Sequence, residues 1–248
     1  QPKKNKKISM TKKETLGAKK ESVEAQNDNF ITKLFSFFKK YSNLVYGVCI
    51  AILVIAIGLI CFNRFYLQPR AEKASLAMTK PIEYLMTASQ TADSSAFMLA
   101  LEGDEEFDGF LNIISDYKMT PTANTAKYMA GVCYFGLKDY ETAVEYLQQF
   151  KQKEDYIWYG CQGLIGDCYD ELGDTKQALA FYNKSIKNQE NDFYNATTLF
   201  KIGQIYERES NWEKAYEAYS TIQNDYAREY AHMGIDRYLE RAKVNAGK

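Results

Sequence analysis

The sequence predicts an all-α protein: a stack of helical hairpins forming an α-solenoid, preceded by one transmembrane helix. Two observations carry this. Residues 41–63, YSNLVYGVCIAILVIAIGLICFN, form a run of 23 residues without a charge. Further along, one turn-and-helix phrase is written three times, as GLKDYETAVEYL, ELGDTKQALAFY and ESNWEKAYEAY. About 20 apolar residues, rising 1.5 Å each, cross the roughly 30 Å hydrocarbon core of a bilayer. A recurring hairpin too small to bury its own apolar face needs neighbours to stack on.

The elements follow in chain order. Residues 1–28 are expected to be a basic disordered arm. Residues 1–43 hold 11 Lys against 4 acidic residues, whereas 44–248 hold 20 Lys and Arg against 28 acidic residues. A basic arm is thus joined to an acidic body. Residues 29–40, with Phe35, Phe37 and Phe38, are expected to be an interfacial amphipathic lead-in, since aromatic rings settle at the membrane interface. The span is expected over 41–66, with Phe62, Phe65 and Tyr66 at its far end. A cleaved signal peptide does not fit, because the polar lead is too long and no small-x-small site follows. A lipoprotein signal does not fit either, because bulky Ile60 precedes Cys61.

Lysine and arginine bias sets the expected orientation. The nearest flanks tie, with three such residues in 29–43 and three in 64–78, but longer flanks hold 11 in 1–43 against 4 in 64–106. The expectation is a cytoplasmic N-terminus and an acidic body on the outer side. Residues 67–122 are expected to be a helical linker and a degenerate first repeat. Its first helix would lie at 82–89, set off by Lys80-Pro81, and its second at 109–117, where GFLNIISDY resembles AYSTIQNDY of 218–226. Three full units follow over 123–226. Residues 227–248 supply a capping helix and tail, with one amphipathic helix over 227–244 placing Ile235, Tyr238, Leu239 and Ala242 on one side.

The three units align position by position. Gly131, Gly166 and Gly203 fall in step, as do Tyr134, Tyr169 and Tyr206, then Ala143, Ala178 and Ala215, then Leu147, Tyr182 and Tyr219. The periods are 35 and 37 residues. A mid-helix glycine costs about 1 kcal/mol relative to alanine, so its recurrence predicts close helix approach. The alanines are expected to occupy the matching place on the second helix, and the aromatics to fill space between hairpins.

These residues resemble the tetratricopeptide repeat, TPR, a helix–turn–helix unit of about 34 residues that favours Leu-Gly-x-x-Tyr on its first helix and Ala with a later aromatic on its second. The matching stretches read AGVCY, IGDCY and IGQIY, at 130–134, 165–169 and 202–206. The family's early Trp and late Pro are absent, and the units run one to three residues long. The resemblance implies a right-handed superhelix whose first helices line a concave face for protein partners. On that face it places Thr125, Tyr128, Val132 and Phe135, then Gly160, Gly163, Asp167 and Asp170, then Thr197, Phe200, Gln204 and Glu207. The binding residues expected from it are Tyr128, Val132, Phe135, Asp167, Asp170, Phe200, Gln204 and Glu207: aromatic at both ends, acidic between. Val132, Asp167 and Gln204 stand where a carboxylate clamp needs basic or Asn residues, so a clamp is disfavoured.

The whole layout resembles single-pass TPR proteins of Gram-negative inner membranes, of which the ancillary TPR subunit of the bacterial Sec translocon is the best-known type, in a Bacteroidota-like form. That resemblance implies an inner-membrane scaffold with a periplasmic body, partnered by the Sec translocon or a periplasmic chaperone. The alternative is a cytosol-facing import receptor or adaptor anchored in an organelle membrane. Enzymatic chemistry has no candidate residues. His232 stands alone, and no phosphate loop, HExxH or nucleophile elbow occurs. No cofactor or metal is expected. DEEFDGF at 104–110 lacks the oxygen-ligand pattern of a calcium loop and is expected to be a solvated helix start. Cys133, Cys161 and Cys168 match no zinc spacing and are expected as small buried hydrophobes. The basic arm has no aromatic before Phe30, so it suits anionic lipid rather than nucleic acid.

Overall fold

The structure is a computed structural model that describes residues 32, 36, 39–152, 156–186 and 191–248. The basic arm expected over 1–28 and most of the lead-in over 29–40 lie outside these residues. The described chain is all α-helical, with no strand among the described residues, and it divides into two compact units at residues 65 and 66.

In the first unit, helix α1 runs Ser42–Phe62 over 21 residues. At 1.5 Å per residue it is about 31 Å long. Its described apolar side chains are exposed, Ile50, Leu53 and Ile60 among them. By length and composition it is long and apolar enough to cross a membrane. The helix ends four residues short of the expected span. A π-helical turn, Asn63–Leu67, follows it in the chain.

The second unit opens with α2 (Gln68–Ala77) and α3 (Thr79–Thr91). Proline at position 81 was expected to interrupt the helix. It lies at the third position of α3, in the first turn, three residues after the turn residue Met78 that separates α2 from α3. Met78 between the two keeps right-handed helical angles. A third helix, α4 (Ser94–Glu102), lies between the two expected for the degenerate repeat, capped by Asp93 accepting from the Ser95 N–H. It is α4 that packs most extensively against α3, while α5 (Phe110–Asp116) packs chiefly on α6 (Pro121–Gly136). Leu85, Ala88, Phe97, Leu101, Phe110, Ile113 and Ala130 form their common core.

The acidic run between α4 and α5 is a tight turn rather than a helix start. The Asp104 carboxylate accepts from the Glu106 and Phe107 N–H groups at 2.8 Å each, and Gly103 takes a φ of 85°. An aspartate that bonds its own downstream backbone offers the chain an alternative to helix.

Three hairpins follow: α6 with α7 (Tyr140–Gln148), α8 (Tyr156–Glu171) with α9 (Thr175–Ser185), and α10 (Asp192–Arg208) with α11 (Trp212–Asp225). One turn design joins each pair. The residue seven past the repeat glycine is left-handed: Lys138 (φ 62°), Gly173 (78°) and Ser210 (59°). The next residue sends its N–H back to the tyrosine carbonyl, Asp139 to Tyr134, Asp174 to Tyr169 and Asn211 to Tyr206, at 2.8–2.9 Å. The same residue's side chain caps the second helix. Each turn therefore closes one helix with a Schellman motif and opens the next with an N-cap.

The repeat glycines meet different partners from those expected. A Cβ on Gly131 would sit 2.5 Å from Leu147, on Gly166 2.6 Å from the Tyr182 ring, and on Gly203 2.3 Å from the Tyr219 ring. The large residue of the second helix thus fills the space inside its own hairpin, over the glycine, rather than between hairpins. Ala143, Ala178 and Ala215 are fully buried nearby.

The C-terminal segment is two helices, α12 (Ala227–Met233) and α13 (Asp236–Asn245), where one was expected. Gly234 breaks it by taking a φ of 61°. The expected apolar side survives the break: Ile235, Leu239 and Ala242 are buried with Tyr219 and Ile222 of α11.

Candidate functional site

The first helices of the hairpins, α6, α8 and α10, carry the expected binding residues. On α6, Tyr128 packs against Phe150, ring centroids 5.6 Å apart, and Phe135 against Tyr140 at 5.6 Å. Val132 packs on the core below. Burial raises the Tyr128 hydroxyl above the usual phenol range. On α10, Phe200 lies between Tyr219 (5.8 Å) and Tyr238 (4.8 Å, edge-on). Gln204 is partly buried. These aromatics are shared between the helix face and the inter-helix core.

The acidic middle of the face is not a set of free carboxylates. Asp167 accepts from Lys201 Nζ at 2.6 Å and from the Tyr182 hydroxyl at 2.6 Å. Asp170 pairs with Arg208. Glu207 takes a bidentate grip from Arg241, Nε at 3.0 Å and Nη2 at 2.6 Å. Each acid on one first helix is answered by a base from further along the stack, α10 answering α8 and α13 answering α10. The ladder neutralises its own charge, so this part of the face does not present net negative potential to a basic ligand. Partly exposed pairs of this kind contribute about 0–1 kcal/mol each, and their role is to hold one unit in register on the next.

Asp167 has more at stake than a pair. Tyr182 is buried, and burial, then the Asp167 charge, push its hydroxyl far above the usual phenol range. Replacing Asp167 by alanine strands that hydroxyl without its acceptor, which is expected to cost about 1–3 kcal/mol. In a Tyr182→Phe background the same substitution should cost about 0.5 kcal/mol, the remaining ion pair alone. Urea unfolding of the four proteins reads the difference, and equal costs in both backgrounds would refute the dependence.

Gly163 and Gly160 part company. A Cβ on Gly163 would land 1.8 Å from the Tyr194 hydroxyl, which donates to the Tyr159 carbonyl at 3.2 Å. Tyr194 of α10 fills that place. A Cβ on Gly160 meets nothing within 4 Å. One helical turn before Gly160 stands Tyr156, 53% exposed, and one turn before Thr197 stands Phe193, 66% exposed. These two aromatics, 37 residues apart like the repeat itself, are exposed at the starts of α8 and α10, each one turn before an expected face position. Sequence reading missed them because it took Gly160 and Thr197 as the first inward positions of their units. Counting four residues back along the same helical face would have found them.

His232 is exposed on α12. Among the described residues no three His, Cys, Asp or Glu side chains gather as metal ligands. Burial pushes the Cys133, Cys161 and Cys168 thiols up to about 12, which suppresses thiolate character at neutral pH.

Residues 125–154 and 197–228 match a family described as tetratricopeptide repeat, and residues 159–192 match a second family of the same description. These segments coincide with the three hairpins. A TPR repeat-containing protein of Methanocaldococcus jannaschii is 29% identical over 122 residues, covering 48% of this chain and 20% of the relative. The chain thus spans about a fifth of that relative's length.

Proposed function

We propose that this tetratricopeptide-repeat chain is a non-enzymatic scaffold anchored in a membrane by α1, holding protein partners on the face of its first helices. Tetratricopeptide repeats are protein-interaction modules, and the observation that carries the reading is the exposure of Tyr156 and Phe193 at equivalent places on successive first helices, with open space at Gly160 one turn after Tyr156. Exposed large aromatics are what an interaction surface uses as anchors. An extended segment of a partner, apolar rather than basic, suits these two aromatics, because the ladder is already paired.

The anchor reading rests on the exposed apolar sheath of α1 and the lysine-rich arm before it. In this proposal the chain lies in a bacterial inner membrane with its N-terminus cytoplasmic and its repeats periplasmic, near the Sec translocon, where it gathers a periplasmic chaperone or another envelope protein. The support is the layout of basic arm, apolar helix and short repeat array.

Photo-crosslinking residues at Tyr156 and Phe193 in the full chain are expected to capture a protein partner, and the same probe at Glu217 on α11 is not. Capture at Glu217 alone would move the contact to the second-helix face. Protease treatment of intact spheroplasts should degrade a C-terminal tag, and its protection would overturn the periplasmic placement in favour of a cytosol-facing adaptor.

A further inference from the structure

The start of the second unit and the turn between α5 and α6 line an open cavity of about 290 Å³, with Tyr66, Arg70, Asp116, Lys118, Met119 and Thr120 among its residues. Its charged groups are arranged unlike the repeat ladder. The Arg70 guanidinium lies over the rings of Tyr66 (5.3 Å) and Tyr117 (5.6 Å) and donates to the Asp116 carbonyl. That bond uses one of five donors in the planar fork. Lys118 is exposed and makes no ion pair among the described residues. Met119 is 67% exposed and Tyr66 47% exposed. Neither belongs to the core around Phe110 and Ile113 of α5.

Cations with aromatic and flexible apolar neighbours are the chemistry of the bilayer interface. The cations meet phosphate, and the apolar groups reach toward the acyl chains. In the chain, the first residue of this lining lies close to the apolar helix. Tyr66 follows Phe62, the last residue of α1, by four residues, which even fully extended span no more than about 14 Å. The Asp116 carboxylate, which accepts from the Ser115 hydroxyl at 2.9 Å, adds a negative charge to the rim. It opposes a purely anionic headgroup and suits one that carries, beside its phosphate, an ammonium with N–H donors, which choline lacks.

We propose that Arg70 and Lys118 bind the phosphodiester of a membrane phosphatidylethanolamine whose ammonium faces Asp116, making this cavity a headgroup site. The proposal rests on the membrane-anchor reading. The test uses the full chain in phosphatidylcholine nanodiscs containing equal fractions of phosphatidylethanolamine and phosphatidylglycerol, with a benzophenone amino acid at Met119. Mass spectrometry of the crosslinked lipid should show at least threefold more ethanolamine than glycerol lipid. Arg70→Ala and Lys118→Ala, the latter at an exposed residue, should each lower the ethanolamine adduct several-fold, and Asp116→Asn should erase the preference. Adducts unchanged in both cation variants, a preference for phosphatidylglycerol, or loss of the adduct to millimolar inorganic phosphate would each overturn the site. Carbonate extraction of cell membranes separates the two readings. A chain retained in the membrane that gives no adduct sinks the headgroup site alone, whereas release by carbonate sinks the anchor and the site with it.

Discussion

Gly203→Ala is expected to destabilise the repeat domain by about 1–3 kcal/mol, although alanine is the better helix former by about 1 kcal/mol. The added Cβ would lie 2.3 Å from one carbon of the Tyr219 ring and 2.6 and 2.9 Å from two others. The ring cannot retreat, because Tyr219 is fully buried and flanked by Phe200 and Tyr238. Backbone must move instead, and the first and second helices of the third hairpin must separate. A loss of this size lowers the midpoint of thermal unfolding by roughly 3–10 °C in a domain of this length. Gly160→Ala is the control. It lies inside α8 with open space where its methyl would go, so it should stabilise by about 0.5–1 kcal/mol. Combining Gly203→Ala with Tyr219→Ala should recover most of the steric part of the cost. If Gly203→Ala raised the melting temperature as Gly160→Ala does, the close approach would be wrong.

Alkaline pH is expected to unfold the repeat domain between about pH 10 and 12. Burial raises the Cys133, Cys161 and Cys168 thiols from an ordinary 9.0 to about 12. A raised folded-state pKa means that folding favours the neutral thiol. The stability tied to it is complete below pH 9 and is lost as pH rises from 9 toward 12, because the unfolded chain releases protons that the folded chain retains. Each thiol then removes up to about 1.4 kcal/mol per pH unit, or roughly 4 kcal/mol per unit together. A domain with about 5–15 kcal/mol to lose does not survive that slope for long. Burial raises Tyr128, Tyr182 and Tyr194 in the same sense, so their loss adds to it above pH 10. Far-UV circular dichroism across the titration gives the midpoint. The Cys133→Ala, Cys161→Ala and Cys168→Ala triple variant should hold its fold to higher pH and lose it less steeply. An unchanged midpoint and slope would show that the thiols do not control the transition.

The repeat was legible in the sequence because its signals are local and periodic. Gly131, Gly166 and Gly203, with the tyrosines three residues later, mark the first helices. The polar residue eight positions after each glycine marks the turn. The ion ladder was not legible. Its acids and bases are 34, 38 and 34 residues apart, so it does not follow the 35- and 37-residue periods. Lys201 enters near the middle of α10, Arg208 at its end and Arg241 from α13. Each pair is set by how adjacent helices cross, and no single unit contains both partners. Helix α4 escaped for a related reason: it has no counterpart in the other units to align with. The single helix expected over 227–244 ran across Gly234, since an isolated glycine inside a helical pattern does not by itself mark an end.

What the sequence determined by itself was the set of elements and their order: an uncharged helix of membrane-crossing length, three hairpins with their turns, and an apolar side on the C-terminal segment. Spacing and side-chain chemistry within one helix or turn settle those, because the forces act over a few residues. Only the tertiary structure decided what each face meets. It placed Tyr219 over Gly203, Tyr194 in the place left by Gly163, bases opposite Asp167, Asp170 and Glu207, and solvent around Tyr156 and Phe193. Those outcomes depend on the distance and angle between neighbouring helices, which a shift of one side-chain diameter changes and which no single helix encodes.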